Sequence, residues 1–220
     1  MSALEQLSLE LYKMQLGDYI KYTGSHKAYL CCVNRLEGPQ TDLALYARYL
    51  PVKSQADRCF YRDFLKAIPQ QLKEVKELLE QGLKEKRTPP QVSLSGVEDQ
   101  IRGMVKGNLE SFSSPIQCFV LPEEQELKEE CEALVENAKE AFSNLADFLD
   151  QSYIPNLRTE ISASKGYPDG ETYYVDCLKF HTTTSMTPHE IHQLGLDEIK
   201  RVRNEMEFIA GGAGFDWKTI

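Results

Sequence analysis

Four histidines, His26, His181, His189 and His192, are the first residues to weigh for metal chemistry. A zinc-peptidase helix sets two histidines at i and i+4, so that both imidazoles leave one face and reach a single ion. The stretch His189-Glu190-Ile191-His192 sets them at i and i+3 instead. Thr187 and Pro188 stand before it, and together with Glu190 they spell a helix start: a hydroxyl to cap, a proline suited to the first helical position, and a carboxylate able to reach back. Glu190 therefore reads as a capping partner rather than a general base, and no metal ligand is assigned. Adding His181 or Cys177 as a third ligand has no spacing logic. The run Thr182-Thr183-Thr184-Ser185 offers hydroxyls, but no base is specified beside them, and a polar linker before the cap explains them.

The six cysteines, Cys31, Cys32, Cys59, Cys118, Cys131 and Cys177, show no C-x-x-C pair and read as reduced thiols. Cys31 and Cys32 are neighbours, an arrangement open to redox or soft-metal chemistry, though chance adjacency is the better account. Gly211, Gly212 and Gly214 follow a helical pattern rather than a strand, so they end a helix and do not cradle a phosphate. Glu198 stands out differently. On a helical wheel it falls within the stripe of Ile191, Val202 and Ile209, and a carboxylate there must be paired or must face a cavity. Arg158, Arg201 and Arg203 are the candidate partners, giving an ion pair between helices or a pocket-lining acid.

These residues sit in a chain whose periodicity is helical almost throughout. Leu4, Leu7, Leu11 and Met14 predict an opening helix, interrupted at Gly17, with Tyr19 to Cys32 as a further short helix. Arg35-Leu36-Glu37-Gly38-Pro39-Gln40 is a turn. Leu43, Tyr46, Ala47 and Leu50 form one face, ended near Pro51. Ser54 and Asp57 start a helix carrying Phe60, Phe64 and Ile68, which Pro69 kinks or divides from Leu72, Val75, Leu79 and Leu83. Ser95 to Glu98 spell a capping box before Val97, Ile101, Met104 and Val105. Residues 111–122 read as loop or extended chain. A long helix follows from Glu123 to about Gln151, with Leu127, Cys131, Leu134, Val135, Ala138, Phe142, Leu145 and Leu149 on a stripe that needs a partner surface. Tyr153-Ile154-Pro155 ends it. Tyr173, Tyr174, Cys177 and Leu178 mark a short helix, and Ile191, Leu194, Ile199, Val202, Met206 and Ile209 the buried side of the last one. No strand alternation and no internal repeat occur. The fold class expected is all-α, an irregular multi-helix bundle.

With 220 residues, 41% hydrophobic and 27% charged, the chain is composed as a globular domain able to bury a core. Its net charge of -9 repels phosphate backbones and anionic membranes, so neither nucleic acid nor membrane is an expected partner. No apolar run reaches the ~20 residues a membrane helix needs. The start, Met1 to Tyr12, lacks the basic and apolar regions of a secretory signal, so a cytoplasmic location is the expectation.

Taken together and in order, several segments resemble the domain-of-unknown-function-885 family. They are Arg35 to Gln40, the stretch from Phe64 to Gly82 with Ile68-Pro69, Ser114-Pro115, Tyr153-Ile154-Pro155 with Arg158, Pro168-Asp169-Gly170 with Tyr173 and Tyr174, and His181 to Thr184. The most specific is Thr187-Pro188-His189-Glu190-Ile191-His192-Gln193-Leu194-Gly195-Leu196-Asp197-Glu198. The resemblance spans about residues 30 to 209. Members look like gluzincin-type zinc peptidases, which implies a large all-helical protein with a central cleft, a downstream H-E-x-x-H helix and a later glutamate as third zinc ligand. None of that zinc motif is in this sequence. His189 and His192 match an ordinary helix before the catalytic one, and Glu198, Tyr173 and Tyr174 are the candidates to line the cleft. From Ala210 to Ile220 the chain departs from the family pattern, and its start is short.

The resemblance thus implies one helical domain over 1–220, an incomplete fragment: the non-catalytic N-terminal part of a zinc-dependent hydrolase, with no cofactor of its own. Zinc is expected only in a full-length relative, and the partner would be the remaining C-terminal part. The alternative is a helical interaction module whose 123–151 stripe receives a partner helix. A third reading builds a small metal enzyme on His181, His189 and His192.

Overall fold

The computed structural model describes residues 1–214, which divide into two compact units, one ending at Pro168 and the other beginning at Asp169. The last six residues, part of the stretch that departs from the family pattern, lie outside the described residues. All regular structure among the described residues is helical, apart from one isolated bridge between Pro90 and Arg158.

The first unit is built on two long helices. Helix α3 (Gln55–Lys84) opens at the expected cap: the Ser54 hydroxyl accepts the Asp57 N–H at 3.2 Å, and the Asp57 carboxylate accepts the Ser54 N–H at 2.9 Å. Pro69 lies inside this single helix rather than dividing it. The buried face is Tyr61, Leu65, Ile68, Leu72 and Leu79; the expected Ile68, Leu72 and Leu79 lie on it, Phe64, Val75 and Leu83 pack against the core half-buried, and Phe60 alone of the expected residues is exposed. A strict four-residue repeat drifts off a helix of 3.6 residues per turn, so a pattern in register with the core at Ile68 has moved off it two repeats earlier, at Phe60.

Helix α6 (Gln125–Phe148) runs on through a π turn (Leu149–Tyr153). It buries Cys131, Val135, Ala138, Phe142 and Leu145, the expected stripe, against α3 and against α4 (Val97–Lys106). The partner surface for that stripe is therefore inside the chain. Between them, Phe64 stacks on Phe112 (centroids 6.4 Å apart), Phe112 lies 6.0 Å from Phe142, and the Tyr61 hydroxyl donates to the Phe112 carbonyl at 2.8 Å. A phenol this deep needs such an acceptor.

Shorter pieces close the unit. Helix α2 (Pro39–Tyr49) buries Leu43 and Ala47. Gly38 before it has φ +136°, a backbone conformation that the turn can take without strain only at glycine. At α4 the expected capping box is not formed. Gly96 takes the left-handed conformation and occupies the cap position itself, which puts Ser95 one residue too early. Residues 111–122 are not simple loop: α5 (Glu110–Ser113) and a 3-10 turn (Ser114–Cys118) bury Phe112 and Ile116. Helix α7 (Ala163–Gly166) is a single turn.

Helix α1 (Ala3–Ile20) runs straight through Gly17, and the following residues form a π turn and a 3-10 turn rather than a helix. None of its residues is buried. It carries two seams with 3-4-3 spacing, Leu4-Leu7-Leu11-Met14 and Leu9-Tyr12-Leu16-Tyr19, all exposed. The second unit repeats this on a larger scale. Helix α8 (Gly170–Thr182) buries only Gly170, and α9 (Pro188–Gly212) buries nothing. The expected buried side of α9 is exposed: Leu194, Ile199, Val202, Met206 and Ile209 all face solvent. No helix among the described residues is long and apolar enough to cross a membrane.

Candidate functional site

In the second unit, the start of α9 forms as expected. The Thr187 hydroxyl accepts the Glu190 N–H at 3.3 Å, while Glu190 Oε2 accepts from the Thr187 N–H at 2.7 Å and from its hydroxyl at 2.8 Å. Those bonds hold the Glu190 carboxyl below the usual carboxylate range. A carboxylate so stabilised in its charged form is a weak base. His189 and His192 are both exposed.

Glu198 is also exposed, and its partner is Arg201 on the same helix: Nη2 meets Oε1 at 2.6 Å and Nε meets Oε2 at 2.9 Å. Arg201 also reaches Glu205 at 2.7 Å. This is a local pair three residues apart, not the bridge between helices that the wheel suggested. The wheel places Glu198 on the apolar side, but that side faces solvent here, where an acid needs no distant partner. The Arg201 bonds keep Glu198 ionised, with its pKa lowered. On α8, Tyr173 is half-buried and Tyr174 exposed.

In the first unit a polar cluster forms that no spacing announced. Arg158, offered above as a partner for Glu198, is a hub. Its Nε donates to the Thr88 carbonyl at 2.8 Å, and its Nη1 donates to the carbonyls of Glu160, Ile161 (3.2 Å) and Ser162 (3.4 Å). Its own carbonyl accepts the Gln91 N–H at 2.9 Å. The guanidinium lies 4.7 Å from the centroid of the Tyr167 ring, and that of Arg87 lies 4.4 Å from the same ring. Gly166 lets the chain pass, since a Cβ there would sit 2.6 Å from Arg158 Nη1. The Cys31 thiol lies 3.6 Å from the Tyr167 hydroxyl and donates to the Arg87 carbonyl at 3.7 Å.

Burial pushes the Cys31 thiol up, the Cys32 thiol up to about 11, and the Tyr167 phenol up to about 12. A nucleophilic or redox cysteine needs the opposite shift, so this cluster stitches segments together rather than presenting a thiolate. A second internal latch joins Arg58 to the buried carboxylate of Glu124. Arg58 also donates to the Val52 carbonyl at 3.0 Å and covers the Phe119 ring at 5.4 Å. Sequence reading missed both clusters because their members lie far apart in the chain. Pro89-Pro90 just after Arg87 and Pro155 shortly before Arg158 are the one local hint that these loops are tied down.

Two surface grooves lie in the first unit. One of about 490 Å³ runs along α3 and α6 where Pro69 interrupts the helix ladder, over Leu72, Ala141 and Leu145, with Lys73, Lys76 and Glu140 on its rim. The other, about 320 Å³, lies beside Gly103, Gly107 and Leu109. Neither gathers acids, bases or nucleophiles in hydrogen-bond contact. Among the described residues no three histidine, cysteine, aspartate or glutamate side chains converge to hold a metal ion.

The architecture is that of an all-α helical bundle with a closed core in its first unit and open helical faces on α1, α8 and α9. Over residues 1–220 the chain matches the family described as "Bacterial protein of unknown function (DUF885)", and it belongs to that family. It is similar to the crystal structure of a protein named as a lipoprotein from Colwellia psychrerythraea, with a TM-score of 0.67 and 23% identity, over 84% of this chain and 33% of that one. At that identity the likeness is one of fold. This chain spans about a third of that neighbour's length. A comparison with curated proteins returned no match.

Proposed function

We propose that the chain is a non-catalytic helical lobe of a larger, zinc-peptidase-like hydrolase, and that its open helical faces are the surfaces on which the rest of such a fold packs. One observation carries the proposal. Helix α9 has 25 residues and a complete capping box, yet not one residue is buried. An amphipathic helix gains most of its stability from a surface covering its apolar stripe, at roughly 25 cal/mol per Å² buried. The length of the Colwellia protein, to which this chain corresponds over a third, supports a fold with room for that surface.

On this reading Glu198, Tyr173 and Tyr174 belong to one wall of a substrate cleft, with Glu198 kept ionised by Arg201. The described residues do not fit a zinc set of their own. His189 and His192 stand three apart at an exposed helix start, and Glu190 is committed to its cap. Zinc ligands and catalytic base would come from outside these 220 residues, and no catalytic step is assigned to this chain.

The test is direct. Purified 220-residue protein, assayed for zinc by elemental analysis and for hydrolysis of a peptide library by mass spectrometry, is expected to hold no stoichiometric zinc and to cleave nothing. Stoichiometric zinc together with chelator-sensitive hydrolysis would sink the non-catalytic reading.

A further inference from the structure

We draw no further inference here: the strongest candidate, the pair of exposed apolar seams on opposite flanks of α1, belongs to the open faces already assigned above, and nothing in the structure shows what covers it.

Discussion

Arg58 and Glu124 meet with most of both side chains out of water, at 13% and 7% exposure. Removing one member of such a pair leaves the other charge stranded, which costs about 3–5 kcal/mol, whereas replacing both with apolar groups is often neutral. Arg58→Met is therefore expected to lower the urea-unfolding stability by that amount, and the double variant with Glu124→Leu to recover most of it; an equal loss in both would show that the two side chains act through their other contacts, Arg58 with the Val52 carbonyl and the Phe119 ring and Glu124 with the Leu121 N–H, rather than through their pairing. The thiols and phenols make a pH prediction. Cys32 and Cys131 are raised from 9.0 to about 11, and Tyr167 from 10.0 to about 12, each chiefly by burial. Folded values above the unfolded ones mean that this stability is fully present below pH 9 and drains away between about pH 9 and pH 12. Denaturant midpoints across that window should fall, with phenolate absorbance rising in step with unfolding; midpoints flat to pH 12 would contradict it.

At the level of elements, two helices share one device and differ in what surrounds them. Helix α3 and helix α9 both begin with a complete capping box, Ser54 with Asp57 and Thr187 with Glu190. Removing an N-cap hydroxyl costs about 1 kcal/mol. Ser54→Ala is expected to shift the main unfolding transition by that amount, because α3 is part of the core. Thr187→Ala should instead speed hydrogen exchange in the first turns of α9 and leave that transition unmoved, because α9 buries no residue. A main transition shifted by Thr187→Ala would mean that α9 folds cooperatively with the core. The caps were legible because they are local: a hydroxyl and a carboxylate three residues apart satisfy each other's backbone wherever the helix goes. The box expected at Ser95 failed for an equally local reason, the left-handed Gly96.

For the molecule as a whole, the exposed stripes of α1 and α9 set its behaviour in solution. Exposed apolar surface on this scale drives association. Light scattering on the isolated chain is expected to show concentration-dependent self-association, reduced by Leu7→Glu with Leu11→Glu on one seam of α1. A strictly monomeric chain that also fails to bind a hydrophobic dye would contradict the open-face reading. A defined oligomer unaffected by those substitutions would favour an independent interaction module, as would a partner bound through some other face. Such a module would not use the α6 stripe, which is filled by α3 and α4.

The sequence by itself determined that this chain is helical, where α3 and α9 begin, and which family it resembles. Periodicity, caps and prolines act over a few residues, and family motifs are themselves strings. It also picked out the apolar face of α6 correctly, because a long, regular stripe tolerates small errors of phase. Only the tertiary structure decided which apolar faces are covered. The stripe on α6 and the stripe on α9 look alike as strings, yet one meets α3 and the other meets solvent. Only the tertiary structure, too, brought Cys31, Arg87, Arg158 and Tyr167 together, since burial and cation–π contact depend on chain segments scores of residues apart, which no local pattern encodes.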